Sequence, residues 1–115
     1  MMRRLIAGTL LAALSAGCSD NSDRMAYDGV QFRVKARKAA DARDVFEVRV
    51  RRAGLSLAGA RLAAHHAGVG YCVGNYGSSE ILWTVDPLDE TRPVPIDDGD
   101  AVYTGRCPQA RPLPT

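Results

Sequence analysis

On either side of residues 38–43, apolar side chains fall at every second position, and this period limits what the chain can fold into more than any other feature does. Val30, Phe32, Val34 and Ala36 share one face with Gln31, Arg33, Lys35 and Arg37 on the other, and Phe46, Val48 and Val50 repeat the arrangement against Glu47, Arg49 and Arg51. Successive side chains of an extended chain point to opposite faces, so a period of two describes a strand with one face buried and one in water. The spacing predicts strands over 29–36 and 44–52, paired as a hairpin through 38–43.

After residue 52 the period changes. Ser56 is suited to cap a helix, and Leu57, Ala60, Ala64, Ala67 and Tyr71 follow at alternating spacings of three and four. Side chains this small let a helix lie close against a sheet. Gly59, Gly68 and Gly70 each cost about 1 kcal/mol in a helix interior, and the helix is expected to stop by Gly74. Residues 75–79 read as a turn, and Ile81, Trp83 and Val85 as a third strand alternating with Leu82 and Thr84. An acidic, proline-marked loop spans 87–95, a brief edge strand 94–96, and the turn Asp97-Asp98-Gly99-Asp100 leads into a last strand over 101–105. The expected fold is α+β: an antiparallel sheet of about four to five strands in the order β-β-α-β-β, with one helix on one face.

The first residues have the order of an export signal, with Arg3 and Arg4, then an apolar run over 5–14, then small residues. That run is half the roughly 20 residues needed to cross a bilayer. It ends in Leu14-Ser15-Ala16-Gly17-Cys18, which resembles the lipobox of bacterial lipoproteins, an aliphatic residue and small residues before an invariant cysteine. Leu14 lies four residues before Cys18 where the family prefers three, and Ser15 occupies the preferred position, where it is permitted. The resemblance implies a diacylglyceryl thioether on Cys18, cleavage after Gly17 and a further acyl chain, such as palmitate, on the new amine.

Several chains make a durable anchor where one gives only marginal attachment, because each buried methylene contributes about 0.8 kcal/mol. The protein would then be held on a membrane facing the periplasm. Ser19 after the cysteine, with Asp20 one place later, favours the outer over the inner membrane by the sorting rule of enteric bacteria. Without lipidation the same residues read as an ordinary secretory signal and a soluble periplasmic or secreted protein. The chain divides into a signal over 1–17, Cys18 and a polar tether over 18–26, one domain over 27–107 and an unfolded tail over 108–115. Beyond the signal it resembles the small uncharacterised envelope lipoproteins of Gram-negative bacteria.

Loss of residues 1–17 removes Arg3 and Arg4, so the 15 basic residues fall to 13 against 13 acidic ones. A neutral exported domain lacks the basic surplus with which nucleic-acid binders displace counterions. The neutrality hides a split: residues 33–52 hold eight basic and three acidic side chains, and residues 86–100 hold six acids and one base, Arg92. With Cys18 assigned to lipid, Cys72 and Cys107 are left as one disulfide pair.

That pair lacks the C-x-x-C turn of redox centres and reads as structural. His65 and His66 are adjacent, so on a helix they point about 100° apart and do not share a metal as an i, i+4 pair would. The Asp97–Asp100 cluster has neither the spacing nor the closing glutamate of a calcium loop. No nucleophile elbow, zinc-binding helix motif or phosphate loop is present, so no catalytic residue, metal or cofactor is expected. Trp83 and Tyr71 could line a ligand groove, although a lone tryptophan in a small domain is more often core.

The outward row Arg33, Lys35, Arg37, Arg49 and Arg51 is the candidate binding face, suited to anionic headgroups, lipopolysaccharide phosphates or an acidic envelope protein. Its alternative is a solvated sheet face that discourages edge aggregation. The expected function is a lipid-anchored, non-enzymatic binding or accessory module of the envelope; the alternative is a small envelope enzyme or inhibitor acting through residues 86–100. Intact-mass analysis of the protein from membranes should give an N-terminal Cys18 carrying a diacylglyceryl group, and an unacylated N-terminus would refute the anchor.

Overall fold

The computed structural model describes residues 26–108; the signal, Cys18, nearly all of the tether and the end of the tail lie outside the described residues. The chain is α+β, with one helix packed against a mostly antiparallel sheet. Strands β1 (Ala26–Tyr27) and β2 (Val30–Gln31) form a small hairpin of their own. Asp28 and Gly29 make its turn with φ of 54° and 77°, the left-handed pair that a two-residue hairpin requires and that Asp-Gly supplies.

The main sheet is built from β3 (Val34–Lys38), β4 (Val45–Val50), β5 (Leu82–Trp83), β6 (Ile96–Asp97) and β7 (Asp100–Arg106). Its order is β3-β4-β7-β5, with β6 also paired to β7. The expected hairpin between 29–36 and 44–52 exists, with Val34 opposite Val50 and Lys38 opposite Phe46. The first strand, however, is not continuous: Phe32 and Arg33 carry no strand pairing, because the Asp28-Gly29 turn diverts Val30–Gln31 onto Ala26–Tyr27. The last strand takes a central position, with Val48 opposite Tyr103 and Val50 opposite Ala101. Its turn from β6 is a second Asp-Gly pair, Asp98 and Gly99, with φ of 53° and 85°.

Helix α1 runs from Leu57 to Tyr76 after a single 3₁₀ turn at Ala53–Leu55. The Ser56 hydroxyl caps it by accepting from the Gly59 N–H at 2.9 Å and also donates to Asp28 at 2.7 Å. The helix passes the expected stop at Gly74 and ends where Gly77 turns left-handed at φ 71°. Glycine interrupts a helix by entropy alone, so packing carried the chain two residues beyond Gly74. The buried face is Gly59, Ala60, Ala63, Ala64, Gly68 and Cys72. Leu57, expected on that face, is instead 48% exposed because it opens the first turn, ahead of the sheet contact.

Phe46 lies at the centre of the core, fully buried, stacked on Tyr71 at 5.0 Å between ring centroids and edge-on to Trp83 at 5.4 Å. Two glycines make room for it. A Cβ on Gly105 would lie 2.9 Å from Phe46 Cζ and 3.0 Å from Ile81 Cγ2, and one on Gly68 would run into the Trp83 ring. The disulfide Cys72–Cys107, with Cα atoms 5.5 Å apart, then ties the last third of the helix to the end of β7. Closing this loop of 35 residues contributes about 3–4 kcal/mol in the chain-entropy account.

Gly68 and Gly70 separate packing from propensity. Gly68→Ala should destabilise the protein by roughly 1–2 kcal/mol, overpacking of about 1–3 kcal/mol offset by about 1 kcal/mol of helix propensity. Gly70 has no atom within 4 Å of its added methyl, so Gly70→Ala should stabilise by up to about 1 kcal/mol. Urea midpoints of the two variants should therefore move in opposite directions; movement in the same direction would contradict this packing.

Candidate functional site

The helix covers one face of the sheet, and the other carries the basic row. Alternation along β3 and β4 sets Lys35 beside Arg49 and Arg37 beside Glu47, so four charged side chains share the helix-free face as two cross-strand pairs. Arg37 makes an ion pair with Glu47 at 3.8 Å. Arg49 is held more firmly: Nη1 donates to Asp100 and Nη2 to Asp97, both at 2.8 Å. The two carboxylates, Asp97 first, raise the Arg49 pKa further above its ordinary value. Arg51 approaches the same Asp100 through Nε at 3.6 Å.

The basic and acidic segments, distant in sequence, thus meet on one surface. The turn between β6 and β7 carries Asp97 and Asp100 onto Arg49, and Asp100 also accepts the Arg52 backbone N–H at 3.1 Å. Hydrogen bonding from Arg49, then from Arg52, holds the Asp100 carboxyl below the usual carboxylate range. Asp86 and Asp89 have local uses. Asp86 accepts from Leu88 N–H at 2.9 Å, and Asp89 accepts from the Thr91 hydroxyl at 2.6 Å and its N–H at 3.0 Å, which lowers the Asp89 pKa. These are turn-forming contacts of the kind short acidic side chains make.

Arg61 fastens that loop to the helix. Its Nη1 donates to the carbonyls of Asp89 at 3.0 Å and Pro87 at 3.4 Å, and its Nη2 to that of Arg92 at 2.7 Å. Beside this clamp a groove of about 320 Å³ is lined by Ala58, Arg61, Leu62, Pro87, Leu88 and Glu90. Trp83 and Tyr71 are part of the core packing and line neither this groove nor the arginine-lined concavity described below. Both pack on Phe46, and Tyr71 donates its hydroxyl to the Arg43 carbonyl at 2.7 Å. Burial raises the Tyr71 pKa, and that of Tyr103, whose buried hydroxyl has no hydrogen-bond partner among the described residues.

His65 is half-buried and His66 exposed, the latter 6.1 Å from the Tyr27 ring, and no group of metal-ligating side chains occurs among the described residues. Cys72 and Cys107 are disulfide-bonded at the helix end.

The remaining basic side chains gather elsewhere. Gln31, Arg33, Arg51, Arg52 and Leu55 line a concavity of about 360 Å³ between the entry to β3 and the exit of β4. The Arg51 N–H bonds the Arg33 carbonyl at 2.9 Å, which holds the two segments together. Arg33 and Arg51 belong to the alternating row visible in the sequence. Arg52 does not follow that period and was missed by it, while Gln31 follows it but is uncharged and stood outside the basic row; the available signal was Asp28-Gly29, a hairpin pair that breaks the strand just before Gln31.

Neither a family model, a curated protein nor a solved structure matches this chain.

The Asp100 contacts make a pH prediction whose sign follows from the depressed carboxyl. Their contribution is complete above the ordinary aspartate value of about 3.9 and is lost as pH falls through the lower native value. Asp100→Asn should thus be less stable than the parent at neutral pH, and the gap in urea midpoints should close on acidification below about pH 3.9. A gap independent of pH would show that the charge on Asp100 has no part in it.

Proposed function

We propose that the protein is a lipid-anchored module of the bacterial envelope that binds an anionic envelope component, without catalysis, through the basic margin of its sheet. The observation that supports this reading is the distribution of compensation among the arginines. Arg37 and Arg49 have carboxylate partners, whereas Arg33, Lys35 and Arg52 have no ion pair among the described residues, and Arg51 reaches only a carboxylate already bonded to Arg49. Positive charge is therefore left over at one margin of the face, where an anionic partner would meet the least competition from the protein's own acids.

The anchor belongs to the same reading. A domain held at a membrane by Cys18 needs little affinity of its own, because tethering raises the local concentration of any envelope ligand. The acidic segment 86–100 has a scaffolding part in this reading: Asp97 and Asp100 orient Arg49 and the Arg51-Arg52 turn, and Asp86 and Asp89 shape the loop beneath Arg61.

The test uses a Cys18→Ala chain, which lacks the acyl anchor, crosslinked to isolated envelopes at low salt. Arg33→Glu with Arg51→Glu should reduce capture more than tenfold, since each basic residue near an anionic surface is worth about 1 kcal/mol and reversal also adds repulsion. Arg92→Glu, in the acidic loop, should leave capture within about twofold. Equal capture by all three proteins would remove the support for a basic binding margin.

A further inference from the structure

We propose that the concavity lined by Gln31, Arg33, Arg51, Arg52 and Leu55 is a binding site for a phosphate group. The proposal rests on the anionic-ligand reading above and gives its ligand a chemistry and an address. Three of the five lining residues are arginines, and like charges confined to one small concavity repel. Asp100, the acid that ion-pairs with a lining arginine, does not offset three guanidiniums, since it accepts from Arg49 at 2.8 Å and from the Arg52 backbone at 3.1 Å and stands 3.6 Å from Arg51 Nε. Neither Arg33 nor Arg52 has a side-chain hydrogen bond or ion pair among the described residues. A guanidinium presents planar, paired donors that match the oxygens of a phosphate, and the Gln31 amide adds a neutral donor.

The backbone supports the same assignment. Arg52 has φ 56° and ψ 50°, a left-handed conformation uncommon for a residue that carries a Cβ, and held here from both sides. Its N–H is bound by Asp100, and the next N–H, of Ala53, donates to the Gly99 carbonyl at 3.0 Å. The turn at 97–100 thus fixes where the Arg52 side chain leaves the backbone. Glycine would satisfy that φ without strain, so the conformation alone does not call for arginine. Leu55, 54% exposed, places an apolar edge beside the arginines.

Two sources of phosphate fit this chemistry, a lipid headgroup and a free phosphate or phosphate ester. The protein purified from membranes in a neutral maltoside detergent is titrated with inorganic phosphate, with chloride at matched ionic strength as reference. Saturable binding specific to phosphate is expected. Arg33→Gln and Arg52→Gly should each weaken it at least fivefold, and Arg52→Gly should keep or raise the urea midpoint, so the loss is not one of folding. The source is then read with Cys18→Ala protein on vesicles of phosphatidylcholine alone or with phosphatidic acid. Arg52-dependent binding to the anionic vesicles assigns a headgroup, and phosphate binding without it assigns a soluble ligand.

Unchanged phosphate affinity in both variants, or equal displacement by chloride, overturns the site. If phosphate fails to bind while Arg33→Glu with Arg51→Glu still abolishes envelope capture, the basic margin stands and this site does not. If phosphate binds as expected while capture is indifferent to charge reversal, the site stands and the envelope reading does not.

Discussion

The contact on which the structure depends is the seat of Phe46 between a helix and a sheet that both give up a side chain for it. Gly68 on the helix and Gly105 on the central strand leave space that a Cβ on either would fill, and the Phe46 and Trp83 rings and the Ile81 side chain occupy it. Close approach converts a row of alanines, each with little surface to bury, into a dense interface, because dispersion and burial both fall away with even small gaps. The disulfide then closes the same interface at its far end. A domain with so few large aliphatic side chains in its core relies on proximity where a larger one would rely on bulk.

At the opposite end of the helix the organising elements are two Asp-Gly hairpins. The first, Asp28-Gly29, reaches the helix through the Asp28 contact to Ser56; the second, Asp98-Gly99, reaches the chain before the helix through the Gly99 carbonyl and Asp100. Residues 51–56 are held between them. The left-handed Arg52, the 3₁₀ turn and the helix cap all lie in that short segment, so the orientation of the arginine-lined concavity is set by main-chain bonds from elements on both sides.

Much of this was legible in the chain. Alternation revealed the β3–β4 hairpin, the Asp-Gly turn revealed the start of β7, and the spacing of small residues after Ser56 revealed the helix, because these signals arise from local geometry and survive in any context. Less could be read where a tertiary contact competes with a local preference. Gly74 is an ordinary place for a helix to stop, yet packing of Tyr76 on the core extends it, and the alternation through Phe32 ignores a turn three residues earlier that sends Val30–Gln31 to another partner. Lys35, Arg37 and Arg49 do lie on one face as the row implied, but the row carried no information on the compensation of Arg49, since its carboxylates come from residues about fifty places later.

The sequence by itself determined the α+β class, the β3–β4 hairpin, the helix, the last strand and, given the assignment of Cys18, the pairing of Cys72 with Cys107. Each follows from a period of two, a period near 3.6, an Asp-Gly turn or an arithmetic of thiols that needs no coordinates. Only the tertiary structure decided that the last strand lies at the centre of the sheet, that the acidic turn neutralises Arg49, and that Arg52 and Gln31 join Arg33 and Arg51 in one concavity. The physical reason is that charge compensation and concavity depend on distances between segments far apart in the chain, and local patterns carry no record of those distances.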